Sequence, residues 1–394
     1  MQLVAVLVAV AFLQWLIALP FLVVKLGGRY RTVGLFVGCS AVFYAAGSLS
    51  LHRFVERYGY RRVLWVALPS VGASTMLCAF APNLPVLFVL VSILSILLAL
   101  FWASWECMFS SQNDEGQLLQ NMARYCLGFT SGDIIGSWLG TTLVNRDFGL
   151  PFLRVRLPFL AAGAVVLICM ALLSWIERGG EFYRARLDSQ QRTEAVHRGE
   201  CYLPTTRTLA FFAFCVAGIT FSFVPLIVVK EMGDWTELNP RVIALQPMAQ
   251  AIFFIVLGRW GGWVHKKWPL WLCAIVLILA AMLLCAPFKL RVSHLLGAWC
   301  FKLGLILVGA SVALAFLTNL LYSMERPATR ARNAGIHEAI VGLGMTVGPT
   351  IGGYGAWAVG NKGQGALWAG LALAAFGLLM FFLLRSRSDR RDAG

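Results

Sequence analysis

The chain has 394 residues, of which 59% are hydrophobic and only 13% are charged. This composition is too apolar for a soluble globular protein and predicts a polytopic membrane protein. The formal net charge of +15 does not indicate nucleic-acid binding, because the Lys and Arg residues lie mainly in short segments between apolar runs and form no continuous basic face.

Twelve apolar windows along the chain are long enough to cross a bilayer, which requires about 20 residues. All twelve are predicted helices, because backbone polar groups in lipid must be satisfied within their own segment. The windows cover approximately residues 2–24, 33–54, 63–82, 85–109, 117–144, 157–176, 208–229, 241–264, 269–287, 295–323, 331–359 and 365–384.

One long polar stretch, residues 177–207, separates the sixth window from the seventh and carries six Arg against five acidic residues. Such a nearly balanced charge run is typical of a solvated linker. We therefore expect an N-terminal six-helix bundle at 1–176, a cytoplasmic linker at 177–207, a C-terminal six-helix bundle at 208–384 and a basic tail at 385–394.

The distribution of Lys and Arg predicts how the chain is oriented in the membrane. With the N-terminus in the cytoplasm, 18 of the 33 basic residues fall in cytoplasmic segments, 11 on the other side and four within or at the edge of spans. Basic residues are enriched in cytoplasmic loops. The bias therefore predicts a multi-pass protein of the cytoplasmic (inner) cell membrane, with both termini in the cytoplasm.

The loop after the second window reads FVERYGYRRVL and occupies residues 54–64. It resembles the signature loop of the major facilitator superfamily, an acid-Arg-x-Gly-x-basic-basic run, with Glu56 in place of the usual Asp and His52 in place of the first Gly. The corresponding loop of the second half, residues 258–267, keeps glycines and a basic pair but has no acid. The resemblance implies an all-α membrane protein with twelve transmembrane helices in two pseudo-symmetric six-helix bundles. It further implies that the bundles rock about a midplane cavity lined by spans 1, 4, 5, 7, 10 and 11.

The signature-like loop is also a candidate gate. Arginines at a helix end can bond its free carbonyls and complement its dipole, and an adjacent acid can pair with one of them. The loop therefore acts either as a latch between conformations or as ordinary positive-inside anchoring. The residues of this gating loop are Glu56, Arg57, Gly59, Arg61 and Arg62.

Spans five and eleven share a stripe of glycines at a spacing of four. A shift of 216 positions superposes three glycines of one span on three of the other, as expected for related halves of a transporter. Small residues at this spacing allow helices to pack closely in lipid. The predicted packing residues are Gly128, Gly132, Gly136, Gly140, Gly344, Gly348, Pro349, Gly352 and Gly353. The run 344–353 also resembles a Gly-x-x-x-Gly-Pro-x-x-Gly-Gly motif that drug antiporters of the superfamily carry in span five.

Three ionisable residues interrupt spans four and five, where such groups are expensive in lipid. Glu106 and Arg124 are expected to lie at one end of their helical hairpin, as a structural or gating ion pair or as direct contacts of the substrate. Asp133 lies near the middle of its window, where transporters place substrate and coupling-ion sites. It is therefore a candidate proton carrier, the alternative being a protonated carboxyl that bonds a neighbouring helix.

Other polar and aromatic residues within the windows are weaker candidates for the substrate or proton pathway, because each could instead serve helix packing. His337 and Glu338 open span eleven, as a proton relay or as a hydrogen-bonded helix entry, and Lys302 either snorkels or faces the cavity. The remaining candidates are Trp102, Asn121, Gln14, Gln246, Gln250 and Asn319.

The sequence contains no Walker loop, nucleophile elbow or metal-binding cluster, so we expect no enzymatic activity, no cofactor and no metal. These observations predict a monomeric secondary transporter that moves a small organic solute by alternating access, with protons as the coupling ion and export favoured over uptake. The alternative is a receptor or scaffold that keeps the fold without transport.

Overall fold

The computed structural model describes residues 2–111, 118–145, 155–178, 200–231, 239–289, 294–325 and 330–392. In these ranges the chain forms twelve α-helices and two short 3-10 helices, Glu200–Tyr202 and Gly261–Trp263. The α-helices are α1 (Gln2–Lys25), α2 (Tyr30–Tyr58), α3 (Tyr60–Ala79), α4 (Leu84–Ser111), α5 (Leu118–Asn145), α6 (Leu157–Arg178), α7 (Leu203–Lys230), α8 (Asn239–Arg259), α9 (Trp268–Lys289), α10 (His294–Met324), α11 (Arg330–Ala358) and α12 (Gln364–Asp392).

Each apolar window corresponds to one helix, and three helices extend clearly beyond the apolar residues. Helix α2 continues to Tyr58, inside the loop predicted at 54–64. Helix α7 begins at Leu203, inside the expected linker, and α12 continues to Asp392, inside the expected tail. Hydropathy marks where a segment leaves lipid, whereas a helix continues as long as its backbone bonds are made. Pro204 favours the early start of α7, because proline in the first turn has no amide that would be left unbonded. The rest of the linker, residues 179–199, lies outside the described residues.

Ten of the twelve helices are long and apolar enough to cross a membrane, and α5 and α11 are the two outside this group. These two helices carry the glycine stripes and several of the ionisable residues. They tolerate this composition because they lie between other helices: α5 packs against α1 and α8, and α11 packs against α2 and α7. The pairs α5–α8 and α2–α11 join the first six helices to the last six.

The glycine stripes are the places where α5 meets α1 and α11 meets α7. A Cβ atom added at Gly132 would collide with the carbonyl oxygen of Val6, and one at Gly348 would collide with the backbone of Cys215. One turn further along, Gly136 faces the backbone of Val10, whereas Gly352 faces the side chains of Phe223 and Ile219. Glycines therefore mark the close contact of the corresponding helix pair in each half of the chain.

The other predicted packing residues divide into two groups. Close neighbours surround four of them: Gly140 faces the Gln14 backbone, Gly344 faces Phe214, Gly353 faces the Cα of Gly34, and Pro349 lies against Gly218. Gly128 is different, because a Cβ atom added there would have no neighbour within 4 Å. The expectation that Gly128 serves helix packing is therefore wrong, since the regular spacing of four continues past the point where α1 and α5 touch.

Candidate functional site

A cavity with a volume of about 160 Å³ lies in the middle of the helix bundle. Its walls come from α1, α2, α4, α5, α7, α8, α10 and α11. The six spans expected to line a central cavity all contribute, and α2 and α8 join them because they carry the contacts between the first and last six helices.

Aromatic rings from both halves of the chain form most of the cavity wall. The Phe129 ring lies at the centre of this group, with ring-centroid distances of 6.1 Å to Trp102, 6.0 Å to Phe254 and 5.4 Å to Phe316. Phe214 continues the group at 5.9 Å from Phe316. The three contacts of Phe129 are edge-to-face, a geometry that stabilises packed rings. The predicted pathway residue Trp102 thus lines the cavity.

Two carboxyl groups and one amide add polarity to this aromatic wall. Asp133 on α5 and Glu338 on α11 line the cavity from opposite halves of the chain, and Gln250 on α8 is a further lining residue. No hydrogen bond or ion pair between described residues involves the Asp133 side chain. Asp133 is therefore placed where a bound solute or ion would meet it.

Next to the cavity, a buried cluster of titratable residues joins α4 to α11. The side chains of Glu106, His337 and Glu338 are 1%, 0% and 4% exposed, and their nearest oxygen and nitrogen atoms all lie within 4.8 Å of one another. The Nε2 atom of His337 is 4.0 Å from the Oε1 atom of Glu106. Tyr44 on α2 donates a hydrogen bond to Glu338, and the Asn319 amide on α10 lies 2.8 Å from Nδ1 of His337.

The same three residues are the candidate ligands for a metal ion among the described residues, which the expectation of no metal site did not foresee. The hydrogen bonds of His337 argue against a bound metal ion. When the Asn319 amide donates to Nδ1 of His337, the imidazole carries its hydrogen on Nε2. That nitrogen then faces Glu106 as a donor and has no lone pair for a metal.

The expected pairing of Glu106 with Arg124 is wrong. Arg124 is exposed, whereas Glu106 is buried against α11. The contact was expected because both residues lie at the same end of one helical hairpin. Glu106 instead faces the other half of the chain, because the hairpin presents that side to α11.

The remaining polar candidates have contacts of different kinds. Gln246 is buried and accepts a hydrogen bond of 2.7 Å from Thr220, which joins α8 to α7. Gln14 is buried on α1, and Asn121 is partly buried at the start of α5. Lys302 places its ammonium group 4.9 Å from the ring centre of the exposed Trp299, which fits a side chain that reaches outward from the bundle.

The gating loop lies at the terminal face, defined as the face at which α1 begins and α12 ends. Gly59 joins α2 to α3 with a φ of +77°, a left-handed conformation that favours glycine. Arg57, Arg61 and Arg62 are exposed, and the Arg57 guanidinium lies 5.4 Å from the ring centre of Tyr58. The side chain of Glu56 lies outside the described residues.

Sequence reasoning missed a second set of contacts on the opposite face, where α1 ends and α2 begins. The Tyr30 hydroxyl donates a hydrogen bond of 2.9 Å to Oε1 of Glu231, and the same carboxyl accepts from the backbone amide of Gly363 at the start of α12. The Arg31 guanidinium lies 4.8 Å from the ring centre of Tyr354. These partners are more than a hundred residues apart in the chain, so no local pattern in a single sequence predicts them.

Comparisons with known proteins agree with this architecture. A family model described as Major Facilitator Superfamily matches residues 3–333 of the chain. No curated protein matches the chain. Among solved structures, a bacterial homolog of the human lysosomal transporter Spinster, in an inward-facing and occupied conformation, has a TM-score of 0.71 and 16% identity, with 98% of this chain and 95% of that chain covered.

Two further structures show the same overall fold. The nucleoside transporter NupG has a TM-score of 0.65 and 14% identity, with 98% of this chain and 97% of that chain covered. A bacterial homologue of the human drug peptide transporters PepT1 and PepT2 has a TM-score of 0.73 and 12% identity, with 98% of both chains covered. At these identities the likeness shows the fold and carries no information about the solute.

Proposed function

The chain belongs to the major facilitator superfamily, and from this premise we propose that it is a proton-coupled secondary transporter of a small organic solute. Family membership shows that the chain is a membrane-embedded transporter that works by alternating access, and that it is not an enzyme. The coupling ion, the direction of transport and the residues involved are our proposal.

The observation that carries proton coupling is the cluster of Glu106, His337 and Glu338. Two buried carboxyl groups this close repel each other when both are ionised, and a single bound proton reduces the repulsion. The titratable groups that interact electrostatically with the cluster include Tyr44, Tyr125 and Arg207, the last through His337. A positive neighbour disfavours a second positive charge on the imidazole, so we place the proton on the pair of carboxyl groups.

The position of the cluster links this proton to the movement of the two halves. Glu106 belongs to α4 and the other two residues belong to α11, so the cluster exists only while these helices are in contact. Glu338 also lines the cavity, which brings the proton site to the edge of the solute site. A solute that binds beside Glu338 thus changes the environment of the proton, as coupling requires.

In this proposal the cluster of Glu106, His337 and Glu338 carries the proton, and Asp133 has a different role. Its carboxyl lines the cavity without a hydrogen bond or ion pair to the described residues, so we place it in contact with the solute.

The bundles 1–176 and 208–384 rock about the cavity, and the gating loop at the terminal face takes part in closing that side. We further propose a monomer in the inner cell membrane with both termini in the cytoplasm, exporting solute in exchange for protons.

Transport assays on the purified protein in proteoliposomes test this function. Counterflow with a library of organic solutes identifies a substrate, and an imposed pH gradient then drives net flux if protons are coupled. Flux that responds to the pH gradient in the native protein, and not in the Glu338→Gln variant, supports the proposal. Flux of an identified substrate that ignores the pH gradient contradicts proton coupling, and the absence of any flux would favour a receptor or scaffold.

A further inference from the structure

The charge of the cavity wall restricts which solutes can enter it. The described residues that line the cavity include two carboxyl groups, Asp133 and Glu338, and no Lys, Arg or His. From this wall we infer that the transported solute is an organic cation with a flat apolar body, an inference that rests on the proposed transport function. An organic anion would enter a low-dielectric site that offers it carboxyl groups and no positive partner, which is strongly unfavourable.

The hydrogen-bonding groups of the cavity wall argue against a sugar or another polyhydroxyl solute. The hydroxyl of Ser40 donates to the carbonyl of Val37 at 2.8 Å, and that of Ser95 donates to the carbonyl of Val91 at 2.9 Å. The hydroxyl of Tyr44 donates to Glu338. These three hydrogens are therefore not available to a solute, and the polar groups that remain on the wall, Gln250 and Asp133 among them, are few. A solute with many hydroxyl groups would leave several of its own polar atoms without partners, each at a cost.

The aromatic rings supply the complementary surface for a flat cation. The faces of Trp102, Phe129 and Phe316 carry the negative part of the ring quadrupole, and the rings are held in a contiguous group at centroid distances of 5.4 to 6.1 Å. A cation beside such faces is attracted to them, more strongly where water is excluded. An apolar body fills the rest of the space between rings, while the positive centre meets a carboxyl.

Asp133 is the carboxyl best placed to meet that positive centre. Its side chain lines the cavity and takes part in no hydrogen bond or ion pair with the described residues. Glu338, in contrast, is already bonded to Tyr44 and lies within the proton cluster. A cation bound at Asp133 would neutralise the charge of a carboxyl that has no such contact with the described residues.

Binding of a matched series of probes to the full-length protein in detergent tests this inference directly. The probes are radiolabelled N-methyl-4-phenylpyridinium, the neutral 4-methylbiphenyl of the same shape, and the anionic biphenyl-4-carboxylate, with the last two used as competitors. We expect saturable binding of the cation and competition at least about 30-fold weaker from either competitor, the ratio that about 2 kcal/mol of charge recognition gives. Equal competition by the neutral probe, stronger competition by the anion, or no saturable cation binding overturns the inference.

Three variants show whether Asp133 provides the recognition. Asp133→Asn should weaken cation binding about 30-fold or more, Asp133→Glu should retain the preference for the cation, and Ser131→Ala is the control on the same helix outside the cavity wall. Size-exclusion elution checks that each variant is folded, and if Asp133→Asn does not fold, retention of the preference in Asp133→Glu is the deciding result. A loss of preference in folded Asp133→Glu, or unchanged binding in folded Asp133→Asn, would count against Asp133.

The failure of this inference can be told apart from the failure of the transport function. If the counterflow library identifies a neutral or anionic substrate whose flux responds to a pH gradient, the transport function stands and the cation inference is wrong. If the cation binds with the expected selectivity but no solute moves, the site is a cation site and the transport function is wrong.

Discussion

The Nε2 atom of His337 lies 4.0 Å from the Oε1 atom of Glu106, and this contact joins α11 to α4 across the boundary between the first and last six helices. The two side chains are 0% and 1% exposed, so a charge on either of them would be poorly screened by water. Since the contact must change when the halves move apart, the protonation of the cluster and the conformation of the protein depend on each other. Removal of an ionisable group from the cluster should therefore reduce flux driven by a pH gradient and leave substrate exchange intact.

The first prediction is that Glu338→Gln, which keeps the shape of the side chain and removes its ionisable group, loses proton-driven flux. We expect flux driven by a pH gradient to fall about tenfold or more, the ratio that about 1.4 kcal/mol gives. Substrate exchange without a gradient should continue, because it requires no net proton movement. Parallel measurements of gradient-driven flux and counterflow in proteoliposomes check this.

Arg124→Gln is the control for this experiment. Arg124 is exposed and does not meet Glu106, so its loss should leave both kinds of flux within about twofold of the native protein, as for most surface substitutions. Gradient-driven flux that survives in Glu338→Gln, or that disappears equally in Arg124→Gln, would contradict the role of the cluster.

Asn319 provides the second prediction, because it holds His337 in place. Its amide lies 2.8 Å from Nδ1 of a fully buried imidazole. Asn319→Leu would leave that buried nitrogen without its hydrogen-bond partner, which costs about 1–3 kcal/mol. We expect a lower midpoint of thermal unfolding in detergent.

The matched control is Ser311→Ala on the same helix. The Ser311 hydroxyl is buried and has no hydrogen-bond partner among the described residues, so its removal should leave the unfolding midpoint unchanged or slightly higher. If the two variants lower the midpoint equally, the Asn319 contact with His337 contributes nothing specific to stability.

The helices could be predicted from the sequence, because lipid requires long apolar segments whose backbone bonds are internal. The candidate site was only partly predictable. Glu106, His337 and Glu338 are conspicuous as ionisable groups within apolar segments, and each was a candidate. Their assembly into one cluster depends on how α4 faces α11, which no local pattern in the sequence determines. The same limit explains why Arg124, at the same end of the helical hairpin, was expected to be the partner of Glu106.

The third prediction concerns the contact between Tyr30 and Glu231 on the opposite face. The hydroxyl of Tyr30 on α2 donates to a carboxyl at the end of α7, so the bond joins the two halves of the chain. Tyr30→Phe removes this bond and keeps the ring, which packs against Phe223 at 6.1 Å. A bond to a charged group contributes about 1.5–3 kcal/mol, so the population open on the opposite face should increase about tenfold or more.

Distances between spin labels on the opposite-face ends of α1 and α7, measured by electron paramagnetic resonance, report this opening. Thr208→Ala is the control, since its hydroxyl donates to the backbone carbonyl of Pro204 within a single helix and joins nothing across the halves. An unchanged distance distribution in Tyr30→Phe would show that the bond does not hold the opposite face closed.

The fourth prediction uses two glycines on one helix that differ in their surroundings. An alanine Cβ at position 132 would collide with the carbonyl oxygen of Val6 and lie 2.7 Å from the Cβ of Ala9, whereas one at position 128 would have no neighbour within 4 Å. Gly132→Ala therefore forces α5 away from α1, at a cost of about 1–3 kcal/mol for an overpacked contact. Gly128→Ala should be neutral or stabilising by up to about 1 kcal/mol, because alanine favours a helix more than glycine does. Thermal unfolding of both variants in the same detergent measures the difference, and equal unfolding midpoints would show that α5 and α1 do not require close approach at Gly132.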